Sequence, residues 1–154
     1  MNRSDPYTLI EAGIAIGGLL AYGEELDQFD FKMNVAWELS PDEESILDKS
    51  RFKPISKYHS VLHARLNDDY IEPQIPEVLR AVGLVVEALK DGKTVLVTCA
   101  AGRNRSGLVL AESLITLGAD VEATISNIQA KRPYALSNPS FVDWLRRPRQ
   151  AGVP

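Results

Sequence analysis

The sequence predicts a single α/β domain with a central mixed, largely parallel β-sheet flanked by helices. Three observations carry this expectation. The run Thr94-Val95-Leu96-Val97 is short, β-branched and apolar, which fits a central strand buried on both faces. Strand-like segments come first and mix with helical ones. Three helical segments then close the chain and supply cover for the sheet. At 154 residues the chain is long enough to bury a core without disulfides or metals. The domain is expected over residues 1–147, with 148–154 as a C-terminal tail.

The elements follow in order. Gly13 to Tyr22 reads as strand and turn. Its apolar stretch, Ile14 to Tyr22, is too short to span a bilayer, and Asp5 and Glu11 stand where a secretory leader would be basic. Glu24 to Asp30 is an acidic connection, and Met33 to Leu39 a strand. Ser40-Pro41-Asp42-Glu43 carries a serine cap, proline at the first helical position and an acid three residues after the cap, predicting a short helix near Pro41 to Asp48. Ser60 to Leu66 alternates, with Leu62, Ala64 and Leu66 on one face. Asn67 to Pro76 has two prolines and no periodicity, so it reads as a loop. Pro76 opens a helix with Leu79, Val82, Val86 and Leu89 at helical spacing, ended by Asp91-Gly92. Arg105 to Leu117 is a helix almost wholly apolar on one side, stopped by Gly118. Asp120 caps a helix running to about Lys131, and Asn138-Pro139 starts the last one, before Pro148. Arg146-Arg147-Pro148-Arg149 reads as a solvated end, and Gln150 to Pro154 as a frayed tail.

Cys99 is the only cysteine. It follows the central strand, and the chain then runs Ala100-Ala101-Gly102-Arg103-Asn104-Arg105-Ser106-Gly107 into a helix. A loop of this kind points successive backbone N–H groups inward at the positive end of a helix dipole, which makes an anion nest. Gly102 permits the positive φ that such a curl needs. Ala100 and Ala101 leave the cup open, and Arg105 offers a planar fork to two phosphate oxygens. Arg103 and Asn104 lie within the same loop; an arginine at 103 suits a second anion as well as it suits solvent. The amides and the cation favour a thiolate, which is a nucleophile placed for in-line phosphoryl transfer. Ten residues are arginine, so one follows a given cysteine at this spacing by chance about 6% of the time. The glycine and the strand–loop–helix setting make an accident far rarer than that. Transfer to cysteine needs an acid for the departing oxygen and later a base for water. Asp68 and Asp69, in the loop after Ser60–Leu66, are the two candidates.

These residues resemble the cysteine-dependent protein phosphatases, in particular their small dual-specificity branch. The resemblance rests on Cys99-(five residues)-Arg105-Ser106, on Asp69 with Pro73 four places later, on Lys131-Arg132-Pro133, and on Asn138-Pro139-Ser140-Phe141. It covers roughly Ser60 to Leu145. It implies Cys99 as nucleophile, Arg105 as phosphate clamp, Ser106 as the hydroxyl that assists thiolate release, and Asp69 as acid then base, with Asp68 as the alternative. The loop residues Ala100, Ala101, Gly102, Arg103, Asn104 and Arg105 would bind phosphate. Thr98 departs from the family, which has histidine before the nucleophile; its hydroxyl can bond nearby backbone but brings no imidazolium charge.

The implied substrate is a phosphorylated protein or a small phosphate ester, with phosphotyrosine and phosphoserine or phosphothreonine both admitted by a shallow cup. Two rival readings stand beside it. Gly102-Arg103-Asn104-Arg105-Ser106-Gly107 also resembles the loop of RNA 5′-triphosphatases, although a net charge of −4 argues against general nucleic-acid binding. A noncatalytic phosphate reader is the other, with rhodanese-like sulfur transfer a fainter one. No cofactor, metal or membrane partner is implied. His59 and His63, four apart on a strand, are about 13 Å apart and too distant to share a metal. A lone cysteine fits the reducing cytoplasm and leaves an oxidised Cys99 only a backbone sulfenamide or an external thiol for protection.

Overall fold

A computed structural model describes residues 7–18, 28–36, 53–56, 59–99 and 101–149, with the side chains of 53–56, 59–63 and 65 left aside. The expected helix near Pro41 to Asp48, Trp37, Ala100, the tail from Gln150 and the imidazoles of His59 and His63 lie outside this description.

Among the described residues, six strands form one sheet: β1 (Tyr7–Glu11), β2 (Ile14–Gly17), β3 (Phe31–Ala36), β4 (Lys53–Ser56), β5 (His59–Leu66) and β6 (Val95–Thr98), in the order β1-β2-β6-β3-β5-β4. The inner pairs β2·β6, β6·β3 and β3·β5 are parallel, while β1·β2 and β4·β5 at the two edges are antiparallel. The mixed, largely parallel sheet of the sequence reading is thus present. All four residues of β6 are buried, as a strand between two parallel neighbours and under helices must be.

Strand β1 was not anticipated. It pairs with β2 through a tight turn in which Gly13 has φ +76°, so the expected first strand is the second arm of a hairpin. Alternation in β1 is clear once its register is known: Thr8 and Ile10 are buried, Leu9 and Glu11 are not. The strand expected from Met33 starts at Phe31, and the one expected at Thr94 runs one residue later.

Four helices follow: α1 (Ile75–Lys90), α2 (Arg105–Thr116), α3 (Val121–Lys131) and α4 (Pro139–Leu145). The segment read as loop to Pro76 instead holds a 3-10 turn, Glu72–Gln74, and the first two residues of α1, Ile75 and Pro76. In α1 the expected face is met at Val82 and, half-buried against the core, at Val86 and Leu89, and is corrected at Leu79. Val78, Ala81, Val82, Val85 and Ala88 are buried, whereas Leu79 is 46% exposed. Small and β-branched side chains let this helix lie close to its neighbours, and the larger leucines sit at the flanks of that stripe.

Helix α2 is buried nearly all round, not on one side: every residue from Arg105 to Ile115 is buried, including Glu112 and Ser113. The Asp120 carboxylate accepts from Ala123 N at 2.9 Å, and the Asn138 side chain accepts from Ser140 N and Phe141 N, so both expected caps are formed. The expectation of a solvated arginine run is also corrected. Arg147 and Arg149 both grip the buried Glu112 carboxylate, at 2.7 and 2.8 Å, and only Arg146 pairs at the surface, with Glu122. A buried charge in α2 requires partners, and the chain after α4 supplies them.

Candidate active site

Cys99 follows the central strand with 2% of its surface exposed. Its backbone N–H donates to the Gly17 carbonyl at 3.1 Å, so β2 sets the point where the chain leaves the sheet. The chain bends through 101–104 and enters α2 at Arg105. Gly102 has φ +69°, as the sequence reading requires of a residue in the curl.

Arg132, just past the end of α3, braces this loop from behind. Its Nη2 donates to the Ala101 carbonyl at 3.2 Å and its Nη1 to Thr8 Oγ1 at 3.0 Å, which joins the loop to β1. Lys131 Nζ donates to the Ile10 carbonyl at 2.7 Å and ties the end of α3 to the same strand.

Cys99 Sγ and Ser106 Oγ share a buried hydrogen bond of 3.3 Å. The sulfur donates when it is a thiol; once it is a thiolate the hydroxyl becomes the donor. Arg105 is also buried, and its Nη1 donates to the Leu66 carbonyl at 3.1 Å. Leu66 ends β5, so the arginine links the exit of the loop to the segment that carries Asp68 and Asp69. Thr98 Oγ1 donates to the Met33 carbonyl at 3.4 Å, so its hydroxyl is spent on the neighbouring strand, as expected.

The two aspartates differ sharply. Asp68 Oδ2 accepts from Asn104 Nδ2 at 2.9 Å, and Asp68 Oδ1 accepts from Asn138 Nδ2 at 2.7 Å. Both are exposed, but Asp69 joins the site only through its backbone carbonyl, which accepts from Asn138 Nδ2 at 3.1 Å. Gln74 shapes the turn that holds them. Its Nε2 donates to the carbonyls of Asn67 (2.7 Å) and Tyr70 (3.0 Å), and its Oε1 accepts from Asn67 N at 2.8 Å. Ser140 Oγ accepts from Ile71 N at 2.9 Å, which ties the same turn to α4.

Of the residues the sequence pointed to, the fold gathers Cys99, Gly102, Arg105 and Ser106 at one loop; of the two aspartates it is Asp68, the alternative, and not the favoured Asp69, whose carboxylate meets that loop. Arg103 lies at the rim, its guanidinium 5.3 Å from the centre of the Tyr134 ring. Ala101 contributes its carbonyl to Arg132. Two supporting residues had no legible signal: Gln74 is a polar residue in a proline-rich turn, and Thr8 lies in an unrecognised strand. Among the described residues, no three His, Cys, Asp or Glu side chains gather where they would hold a metal, and no helix is long and apolar enough to cross a membrane.

The sequence matches the family described as dual specificity phosphatase, catalytic domain, over residues 22–151. The chain belongs to the dual-specificity phosphatase family. It is therefore a cysteine-dependent phosphatase domain, and the match begins well before Ser60, where the motifs alone had faded. Among solved structures, human DUSP28 superposes with a TM-score of 0.73 at 20% identity, over 92% of this chain and 91% of its own. DUSP15 gives 0.70 at 19% identity, over 90% and 84%. The human tyrosine phosphatase-like serine/threonine/tyrosine-interacting protein gives 0.66 at 18% identity, over 91% and 93%. At these identities the likeness speaks for the fold alone. No curated protein matches the sequence at the level that marks a relative.

Proposed function

We propose that this phosphatase hydrolyses phosphomonoesters, in proteins or small molecules, through a thiophosphate on Cys99. The observation that carries the reading is the buried contact of 3.3 Å between Cys99 Sγ and Ser106 Oγ at the mouth of the central strand. In the first step the Cys99 thiolate attacks phosphorus, the phosphorus–oxygen bond to the leaving group breaks, and a protonated aspartate gives its proton to that oxygen. In the second, the aspartate takes a proton from water as the water attacks phosphorus. The sulfur–phosphorus bond breaks, inorganic phosphate leaves, and the Ser106 hydroxyl donates to the released thiolate. Arg105 and the amides of the loop Ala100 to Arg105 would hold the phosphate oxygens through both steps.

Of the two aspartates, Asp68 is supported as the acid and base, because its carboxyl group meets the phosphate loop at Asn104 while Asp69 meets the site through its backbone carbonyl. A thiolate that works without a partner cysteine suits a reducing compartment, which supports the cytoplasm.

Hydrolysis of phenyl phosphate by purified wild type, Cys99→Ser, Asp68→Asn and Asp69→Asn tests this. Cys99→Ser is expected to be inactive, Asp68→Asn slower by about 100-fold, and Asp69→Asn close to wild type. Turnover surviving in Cys99→Ser would rule out the thiophosphate, and loss confined to Asp69→Asn would move the acid to Asp69. A second reading, attack on a 5′-triphosphate end, has one observation behind it. Arg103 stands beside Arg105 on the loop, with no carboxylate partner among the described residues. An RNA 5′-triphosphate end cleaved far faster than any monoester, and nearly as well by Asp68→Asn, would establish that reading instead.

A further inference from the structure

Asn104 touches three loops at once. It is the cap residue of α2, yet its side chain makes no bond to that helix. Its Oδ1 accepts from the backbone N–H of Ser137 at 2.7 Å and of Asn138 at 3.0 Å, and from the Ser137 hydroxyl at 3.4 Å. Its Nδ2 donates to Asp68 Oδ2. This network fixes which way the amide faces. Turned over, the NH2 group would meet two backbone N–H donors and the carbonyl would meet a carboxylate, so both ends would lose their partners.

The second ligand of Asp68 also leads back to Asn104. Asn138, whose backbone N–H is held by Asn104 Oδ1, places its own Nδ2 on Asp68 Oδ1. Each oxygen of the Asp68 carboxylate therefore takes one amide, and residue 104 positions both.

We infer that Asn104 is a positioning residue that sets the Asp68 carboxyl relative to Cys99 and thereby governs how well the enzyme expels a poor leaving group. This rests on the reading of Asp68 as the acid. A leaving group of high basicity, such as the alkoxide of serine or threonine, needs a proton delivered at the right place as its bond breaks. A strongly acidic phenol leaves without one. The residue before Arg105 would thus tune the preference between alkyl and activated aryl esters while never touching the phosphate with its side chain.

The experiment compares kcat/KM, which reports the steps up to release of the leaving group and not the later hydrolysis of the thiophosphate, on phenyl phosphate and on 2,4-dinitrophenyl phosphate for wild type, Asn104→Ala, Asn104→Asp, Asp68→Asn and the double variant Asp68→Asn/Asn104→Ala. Asn104→Asp keeps an acceptor for Ser137 and Asn138 but replaces the donor to Asp68 by an oxygen. Both variants at 104 are expected to lose about tenfold in kcat/KM on phenyl phosphate, the worth of a hydrogen bond to a charged group, and less than about twofold on the dinitrophenyl ester. Adding Asn104→Ala to Asp68→Asn should cost nothing further. Equal loss on both esters would overturn the proposal, because Asn104 would then act on the loop or the phosphate. Wild-type kcat/KM on phenyl phosphate in Asn104→Asp would overturn it too, since only the brace to 137–138 would matter. Turnover of phenyl phosphate left intact in Asp68→Asn would instead refute the acid assignment on which the proposal stands. Loss in Asp68→Asn with none in Asn104→Ala would refute this proposal alone.

Discussion

At Gly102 two constraints coincide. The backbone has φ +69°, and a Cβ built there would stand 2.5 Å from the carbonyl carbon of Gly17, 2.6 Å from its oxygen and 2.7 Å from Arg132 Nη2. The first two neighbours are backbone of an inner strand and cannot swing aside. Gly102→Ala is therefore expected to destabilise the domain by about 3 kcal/mol or more, which lowers Tm by roughly 6–12 °C, and to remove activity by displacing the loop. Thermal unfolding and phenyl phosphate turnover check this; a variant with wild-type values of both would show that the loop has slack. The glycine was legible because its chemistry is local: a strand, a cysteine and an arginine in register call for a curl between them. The brace behind it was not. Arg132 meets Thr8, 124 positions away in the chain, and no local pattern carries that pairing. Asp68 and Asp69 are hard to tell apart for the same reason: only the fold brings the side-chain amides of Asn104 and Asn138 to the carboxylate of one of them.

Among the elements, helix α2 and the segment after α4 are joined through a single carboxylate. Glu112 takes both nitrogens of Arg147, at 3.2 and 2.7 Å, and both of Arg149, at 3.0 and 2.8 Å. Arg147 also stacks on Trp144, 3.7 Å from the ring centre. Burial pushes the Glu112 carboxyl up, but the hydrogen bonds and charges of Arg149 and Arg147 outweigh it and hold the group below its ordinary value of 4.5. A lowered carboxylate stabilises the folded state fully above that ordinary value, and the gain is lost as pH falls through the lower folded one. Glu112→Gln is thus expected to cost about 2–3 kcal/mol at pH 7, below the fully buried range because both guanidinium groups keep some contact with water. The gap in Tm between wild type and variant should narrow as pH falls below the ordinary carboxyl value of 4.5. A gap that stays constant across that range would remove the charge from the account. The run Arg146 to Arg149 hid this role, since three arginines after a helix look alike whether they meet water or a buried acid. Helices with chemical end signals were easier: Asp120 and Asn138-Pro139 placed α3 and α4 nearly to the residue. The inward face of α1 is legible in part: Val82, Val86 and Leu89 do turn toward the core, but the stripe that packs is centred on Val78, Ala81, Val85 and Ala88 and leaves Leu79 exposed.

For the molecule as a whole, the strand order decides the site. The sequence implied a largely parallel sheet, but the order β1-β2-β6-β3-β5-β4 depends on pairings between distant segments, which no local signal encodes. That order puts β6 between β2 and β3, so Cys99 emerges at the C-terminal edge of an inner parallel strand, where open α/β sheets place their ligands. The loop beyond it is tied to β1 through Arg132, to β5 through Arg105, and to α4 through Asn104 and Asn138. An anion held in the loop therefore binds a surface that exists only when both halves of the sheet and the closing helices are assembled. A ligand of that kind stabilises by mass action. Tungstate, a tetrahedral dianion, at about 100 times its dissociation constant should add about 2.7 kcal/mol and raise Tm by roughly 5–10 °C. Arg105→Ala should unfold without that shift at the same tungstate concentration, because the anion loses its cation. Cys99→Ser should keep most of it, because a serine at the floor of the cup leaves the amides and Arg105 in place. A shift of equal size in Arg105→Ala would mean that the anion binds elsewhere, and the loop after β6 would lose its claim to the phosphate.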